Sequence, residues 1–481
     1  MRTPSDCSTA CSRARLVCEP RPSGSVHARC GANTPVCRVE THLDAFRSVY
    51  QIPLREAVSN ASLQFKTMRT PLFLLSLLLA GSASAQTPLT WQQVVNQFRA
   101  ANPNLLAGEL NIQESKASEI TAYLRPNPSL SFSLDQLAPF PGTPYRPFAA
   151  ALPVIEFDYT HERDRKRELR LQSAKQGTQI AESQQLDLER NLLFNLRNAF
   201  VQTLQAKSLL ANAKENLDYF EKELTINRDR YRSGDIARVD LDRIVLQRVQ
   251  YESDYQTALV NARTAKIMLL MLLNQRTPVD QFDITGPFEF REHILPLDQF
   301  HDIALASRPD LVAAVQAVQK AETDHRLAVA NGSTDPTFSI DFGYLTPGPT
   351  YMGVGVNFPL RIFDRNQGEK ARTQIDIRHA ERQKDAAQAQ VFSDVDSAYY
   401  TLVSTVNQLR PYLGPDGYLE TATRVRDTIA FSYQRGQAAL VDYLDSQRDY
   451  RATQVAYINL VGAYLVAAAQ VNMAVGREAI P

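Results

Sequence analysis

Histidines, cysteines and paired carboxylates are the residues that could do chemistry here, and their spacing argues against it. Beyond residue 85 stand five histidines (His161, His293, His301, His325 and His379), none at ligand spacing from another, and all five cysteines lie before residue 40. A metal centre needs several such donors converging on one point, so the pattern predicts no metal site and single surface or turn histidines. Carboxylate pairs such as Asp240/Asp242 fall at a helix start, where solvation accounts for them. The chain has no phosphate loop, dinucleotide glycine fingerprint or Gly-x-Ser-x-Gly elbow. The expectation is a protein that is not an enzyme and needs no cofactor.

A turn recurs instead. Tyr231-Arg-Ser-Gly234-Asp-Ile-Ala-Arg-Val239-Asp240 and Tyr433-Gln-Arg-Gly436-Gln-Ala-Ala-Leu-Val441-Asp442 share Tyr, Gly, Val and Asp at one offset of 202, and Asn102-Pro103-Asn104-Leu105 faces Arg308-Pro309-Asp310-Leu311 at 206. This is a tandem duplication, with repeats at 86–297 and 298–481. Each half reads as helix, strand, strand, long helix, Gly turn, helix.

The elements that must position these turns are of two kinds. Short segments at about 128–135, 152–160, 336–345 and 350–360 read as strands. In three of their runs apolar and small or polar residues alternate: Leu130, Phe132 and Leu134 with serines; Phe338, Ile340, Phe342 and Tyr344 with Thr337, Ser339, Asp341 and Gly343; Met352, Val354, Val356 and Phe358 with Gly353, Gly355 and Asn357. Period two suits a transmembrane barrel, apolar out and polar in, and equally a soluble sheet with one wet face. Four strands cannot close a barrel, and an open edge is forbidden in lipid, so a barrel requires several chains to pool their strands. The other elements are helices of unusual length. From Glu162 to Arg232 the only glycine is Gly177 and there is no proline, giving roughly 105 Å of helix at 1.5 Å per residue. Helices at 89–124 and 239–274, stacked end to end, match that length. Pro411 and Gly414-Pro415-Asp416-Gly417 should break the second long helix.

The front of the chain reads differently. Met68-Arg69, the apolar run Leu72–Leu79 and Ala83-Ser84-Ala85 form a secretory signal peptide over 68–85. Residues 1–67 then read as a misannotated or disordered leader, and the exported part holds no cysteine. No other stretch looks apolar for long enough to cross a bilayer as a helix, so entry into a membrane would be as a β-barrel. After residue 85 there are 42 Lys+Arg against 47 Asp+Glu, which gives no support for nucleic-acid binding.

On the duplicated halves, the Tyr-x-x-Gly turns and the strand pairs before long helices, the chain resembles the TolC family of outer-membrane efflux channels over nearly all of 89–476. The junction Phe358-Pro359-Leu360-Arg361-Ile362-Phe363-Asp364-Arg365-Asn366-Gln367-Gly368 is similar to the cobalt-zinc-cadmium branch, which serves heavy-metal pumps of the resistance-nodulation-division type. At the first junction that branch tends to show Gly-Lys-Arg, whereas Asp164-Arg165-Lys166-Arg167 stands here. The resemblance implies a mainly α protein with a small transmembrane β part: a homotrimer with a twelve-stranded β-barrel and a periplasmic α-helical barrel. It would sit in the outer membrane of a Gram-negative bacterium, contact outer-membrane lipid, and meet a periplasmic adaptor and an inner-membrane pump. Substrates, metal cations foremost, would leave through it passively. Ducts for drugs or for type I protein secretion would share these features, and a periplasmic coiled-coil adaptor would share the helices.

By position, Asp442 and Asp445 match the family's acidic rings at the periplasmic constriction, and Asp240 and Tyr433 match groups that latch the closed tip. Three copies of each carboxylate round a narrow axis would attract cations; equally, both favour a helix N-terminus through its dipole. Relatives often carry a cation where Ala438 stands, so Arg238 or Arg435 would complete the latch. Tyr231, Arg232, Ser233, Gly234, Tyr433, Gln434, Arg435 and Gly436 are the expected adaptor contacts, or simply hairpin turn chemistry with glycine at positive φ.

Overall fold

A computed structural model describes residues 88–137, 150–345 and 347–480, together with 144, 146 and 148. The chain divides into units Met1–Ser82 and Ala83–Pro481; the leader and signal-peptide expectations lie outside the described residues. Helices α1 (Trp91–Ala101) and α2 (Pro103–Tyr123) precede strands β1 (Ser129–Asp135) and β2 (Leu152–Thr160), then α3 (Lys166–Ser233) and α4 (Arg238–Leu272). The series then recurs as α5 (Leu297–Ser307), α6 (Pro309–Ala330), β3 (Thr337–Tyr344), β4 (Thr350–Asn357), α7 (Gln367–Leu409), α8 (Tyr418–Gln434) and α9 (Leu440–Val475).

α3 has 68 residues, about 100 Å at 1.5 Å per residue. Along it α2 and α4 lie end to end, but the element expected at 89–124 is two helices. Asn102-Pro103 divides it, because proline lacks the N–H that a continuing helix would need and suits a first helical turn instead. Asn102 caps α2 by accepting from the amides of Asn104 and Leu105, while its amide donates to Leu272 O at the end of α4 (3.2 Å). The second half makes the same joint with different chemistry. Arg308 is buried, ion-paired to Asp310 (2.6 Å) and Asp394 (2.9 Å), and donates to Ala474 O near the end of α9.

α7 stops at Leu409, a 3-10 turn covers Arg410–Tyr412, and Gly414 turns at φ 93° before α8 starts. Arg410 bridges this break to Glu292 (2.5 Å). One expectation needs correction: Leu440–Val475 does contain a window apolar enough, by composition, to cross a membrane. Its apolar side is used within the helical layer, where Val461, Tyr464, Ala467, Val471 and Val475 pack in one core with Val391, Val395, Leu402 and Val406 of α7. His301 and His325, expected at surface or turn positions, are half-buried on α5 and α6 and tie to Asp396 (2.7 Å) and Thr373 (2.9 Å) of α7.

The four strands form one antiparallel meander, β1-β2-β3-β4, with β2 and β3 pairing across the two halves. Register sorts the faces. Leu130, Phe132, Ile155, Phe157, Phe338, Ile340, Phe342, Met352, Val354 and Val356 share one face, and it is exposed, with Phe132 at 70% and Val354 at 77%. The other face carries Ser129, Ser131, Ser133, Asp135, Glu156, Asp158, Ser339, Asp341 and Asn357. All four acidic residues of the strands lie there, and the strands contain no Lys or Arg. A Cβ at Gly353 would meet the Asp341 carboxylate at 2.4 Å, so the glycine lets that acid lie flat across β4. Neither β1 nor β4 has a partner at its outer edge among the described residues.

Candidate functional site

At the far ends of the long helices, α3 turns into α4 through Gly234 (φ 85°) and α8 into α9 through Gly436 (φ 73°). The two turns close identically. Gly234 N–H donates to Tyr231 O and Asp235 N–H to Arg230 O, as Gly436 does to Tyr433 O and Gln437 to Ser432 O (2.8–3.1 Å). These are helix C-terminal motifs in which glycine takes the left-handed conformation and the last carbonyls are satisfied. Tyr231, Arg232, Ser233, Gly234, Gln434, Arg435 and Gly436 are all exposed at the turns.

Tyr433 is only 5% exposed. It stacks on Tyr443 (4.8 Å between centroids), donates to Asn227 Oδ1 (3.2 Å), and has the Arg230 guanidinium over its ring (5.0 Å). Phe220 stacks on Tyr251, and Leu217, Leu224, Ile244 and Leu440 complete a small core just above the turns. Within it Glu223 is 6% exposed. Burial pushes its carboxyl above the usual carboxylate range, opposed by Tyr443, Gln434 and Arg230. Burial likewise raises the Tyr443 phenol, and Glu223 adds to the effect.

The family-derived latch residues are distributed otherwise in the protomer. Arg238 pairs with Asp242 (3.5 Å), Arg435 lies over Phe431 (4.2 Å), and Asp240 faces Arg243 at 3.9 Å. Arg230 is the cation beside Tyr433. Asp442 and Asp445 are exposed in the first turns of α9, and Asp445 pairs with Arg448 (3.3 Å). Sequence reasoning did not find Glu223, Asn227 or Arg230 as a group. Their positions in the first repeat correspond by the 202 offset to Val425, Ile429 and Ser432 in the second, so the repeat offered no echo. No group of three His, Cys, Asp or Glu side chains converges for a metal among the described residues.

A four-stranded sheet with one apolar and one polar face, carried on a layer of very long helices that ends in paired turns, is the protomer fold of outer-membrane efflux channels. The structure of CusC, whose study concerns transmembrane channel formation, superposes with a TM-score of 0.68 at 16% identity, covering 80% of this chain and 92% of that one. Residues 301–477 match the family model described as outer membrane efflux protein. Among curated relatives, the cobalt-zinc-cadmium resistance protein CzcC of Cupriavidus metallidurans is 23% identical over 412 residues, 82% of this chain and 91% of the relative. The outer membrane efflux protein BepC of Brucella suis is 22% identical, over 83% and 87%. The family and the structural neighbours are channels, not enzymes.

Proposed function

We propose that three copies pool their strands into a twelve-stranded barrel continued by a helical tunnel. This homotrimer forms the passive exit duct of a tripartite pump, with metal cations as its cargo. The carrying observation is the sheet itself: its apolar face is exposed, its polar face is acidic, and among the described residues its two edges are unpaired. Unpaired backbone groups are intolerable in lipid, so sister chains are the partners this sheet fits. A periplasmic adaptor would hold the turns around Tyr231–Gly234 and Tyr433–Gly436, and an inner-membrane transporter of the resistance-nodulation-division type would deliver substrate and supply the energy. A signal peptide at 68–85 fits export, and repeats at 86–297 and 298–481 fit a layer built twice.

Asp442 and Asp445, three copies each, would ring the narrow end, with Asp240, Tyr433, Arg238 and Arg435 near them at the tip. The pairing of Asp445 with Arg448 tempers its field, so Asp442 carries more of the attraction. The acid-only polar face of the strands favours cations along the barrel as well, and the relationship to CzcC points to metals. Two experiments test this. In planar bilayers the trimer should prefer cations over anions, and D442N should reduce that preference more than D445N; equal permeability to both signs would remove the cation assignment. A deletion strain should become sensitive to zinc, cobalt or cadmium; sensitivity to organic drugs alone would assign the duct to a drug pump.

A further inference from the structure

The strand-to-helix junctions carry a band of apolar and cationic side chains that neither the helical packing nor the tip uses. Beyond β4 the alternation continues through Phe358, Leu360 and Ile362 and ends at Phe363, which is 90% exposed. In sequence these residues prolong the lipid-side series Met352, Val354 and Val356 past the last ladder pair, Thr337 with Asn357. At the same junctions stand Arg125, Arg163, Arg165, Arg167, Arg361 and Arg365.

The turn between α6 and β3 ties the two junctions together. Lys166, 3% exposed, donates to Ser333 O (3.0 Å) and Asp335 (2.6 Å), and the Arg163 amide donates to Asp335. From the other side Thr334 donates to Pro359 O and Asn366 to Ala328 O. Several carboxylates of the band are engaged: Asp335 by Lys166, Glu162 by Arg170, Asp364 by the Asn366 amide. Arg163, Arg165 and Arg361 form no ion pair among the described residues, and the Arg361 Nε has no hydrogen-bond partner there. The strands themselves hold acids and no Lys or Arg, so the sign of charge reverses where they end.

We propose that this band binds anionic phospholipid headgroups at the inner edge of the outer membrane, with Leu360, Ile362 and Phe363 among the acyl chains and the arginines against phosphate. This rests on the barrel reading of the sheet. Two features select this occupant. The apolar series is continuous with the face that meets lipid, and a guanidinium matches phosphate oxygens in charge and geometry. Each cation near an anionic bilayer surface is worth about five-fold in binding, so three copies of the band give a marked preference over a zwitterionic headgroup.

The test reconstitutes the mature chain in phosphatidylcholine bilayers and compares spin-labelled phosphatidylglycerol with spin-labelled phosphatidylcholine in the lipid layer immobilised around the protein. Phosphatidylglycerol should be favoured several-fold, the ratio should fall with added salt, and R361Q/R365Q should lower it further. A nitroxide on F363C, in a mature chain otherwise without cysteine, should be reached by dissolved oxygen and not by a water-soluble nickel complex. A ratio of one that ignores R361Q/R365Q overturns the proposal, and so does a label shielded from both reagents, which would mean that a second copy covers the band. Failure to enter bilayers at all would defeat the barrel reading too, whereas entry without headgroup preference defeats this inference alone.

Discussion

Arg308 is a heavily committed side chain in the helical layer, because its polar contacts join the start of α6 to both α7 and α9. Replacing it with methionine removes the main cation of Asp310 and the cation of Asp394, and because both carboxylates are partly exposed the loss stays below the roughly 3–5 kcal/mol of a fully buried pair. The melting temperature of R308M should fall accordingly. Burial works to raise Asp310, yet hydrogen bonding and charge from Arg308, aided by Arg190, hold its carboxyl below the usual range. Its contribution is therefore complete above the ordinary carboxylate pKa and disappears as pH falls through the lowered one. Glu223 has the opposite sign. Its raised pKa means that stability is lost as pH rises through that value, so E223Q should flatten the rise in melting temperature on mild acidification; an unchanged pH profile would show that Glu223 is not the group responsible. Arg165 offers a third test. It stands at φ 57°, ψ 30° before α3, where an L-residue is disfavoured by about 1 kcal/mol and where the resembling branch tends to have glycine. R165G should stabilise the fold, measured by chemical denaturation. The sequence showed the absence of glycine but not the backbone it implied, since φ follows from how sharply a strand must turn into a helix.

Among the elements, the strands were the most legible, because period two survives in Leu130-x-Phe132-x-Leu134 and in Met352-x-Val354-x-Val356 without help from partners. Pairing of β2 with β3 across the repeats was not legible, since register depends on where α6 ends relative to α3. The faces make a direct prediction. Phe132→Arg puts a charge on the lipid side, at a cost of about 2–4 kcal/mol near the bilayer midplane, and should abolish assembly, while Ser131→Arg on the opposite face should assemble and lessen cation preference. Outer-membrane trimer yield separates the two. The break of the second long helix followed from Pro411 and Gly414, but the division of the first helix at Pro103 was missed, since proline also suits a helix start. The tip core was only partly readable: the repeated Tyr-x-x-Gly turn singled out Tyr433, whereas Glu223 looks like any solvated acid until α8 and α9 cover it.

For the whole molecule, the duplicated fold and the missing strand partners lead to one claim, that this sheet is a third of a closed wall. A single chain exposes Phe132, Val354 and their neighbours to water together with two open edges, and no soluble protein tolerates that combination for long. The most direct test is the mass and solubility of the mature protein taken from outer membranes, by native mass spectrometry in detergent. Three copies that require detergent to stay dispersed are expected. A monomer that remains dispersed in plain buffer would contradict the account.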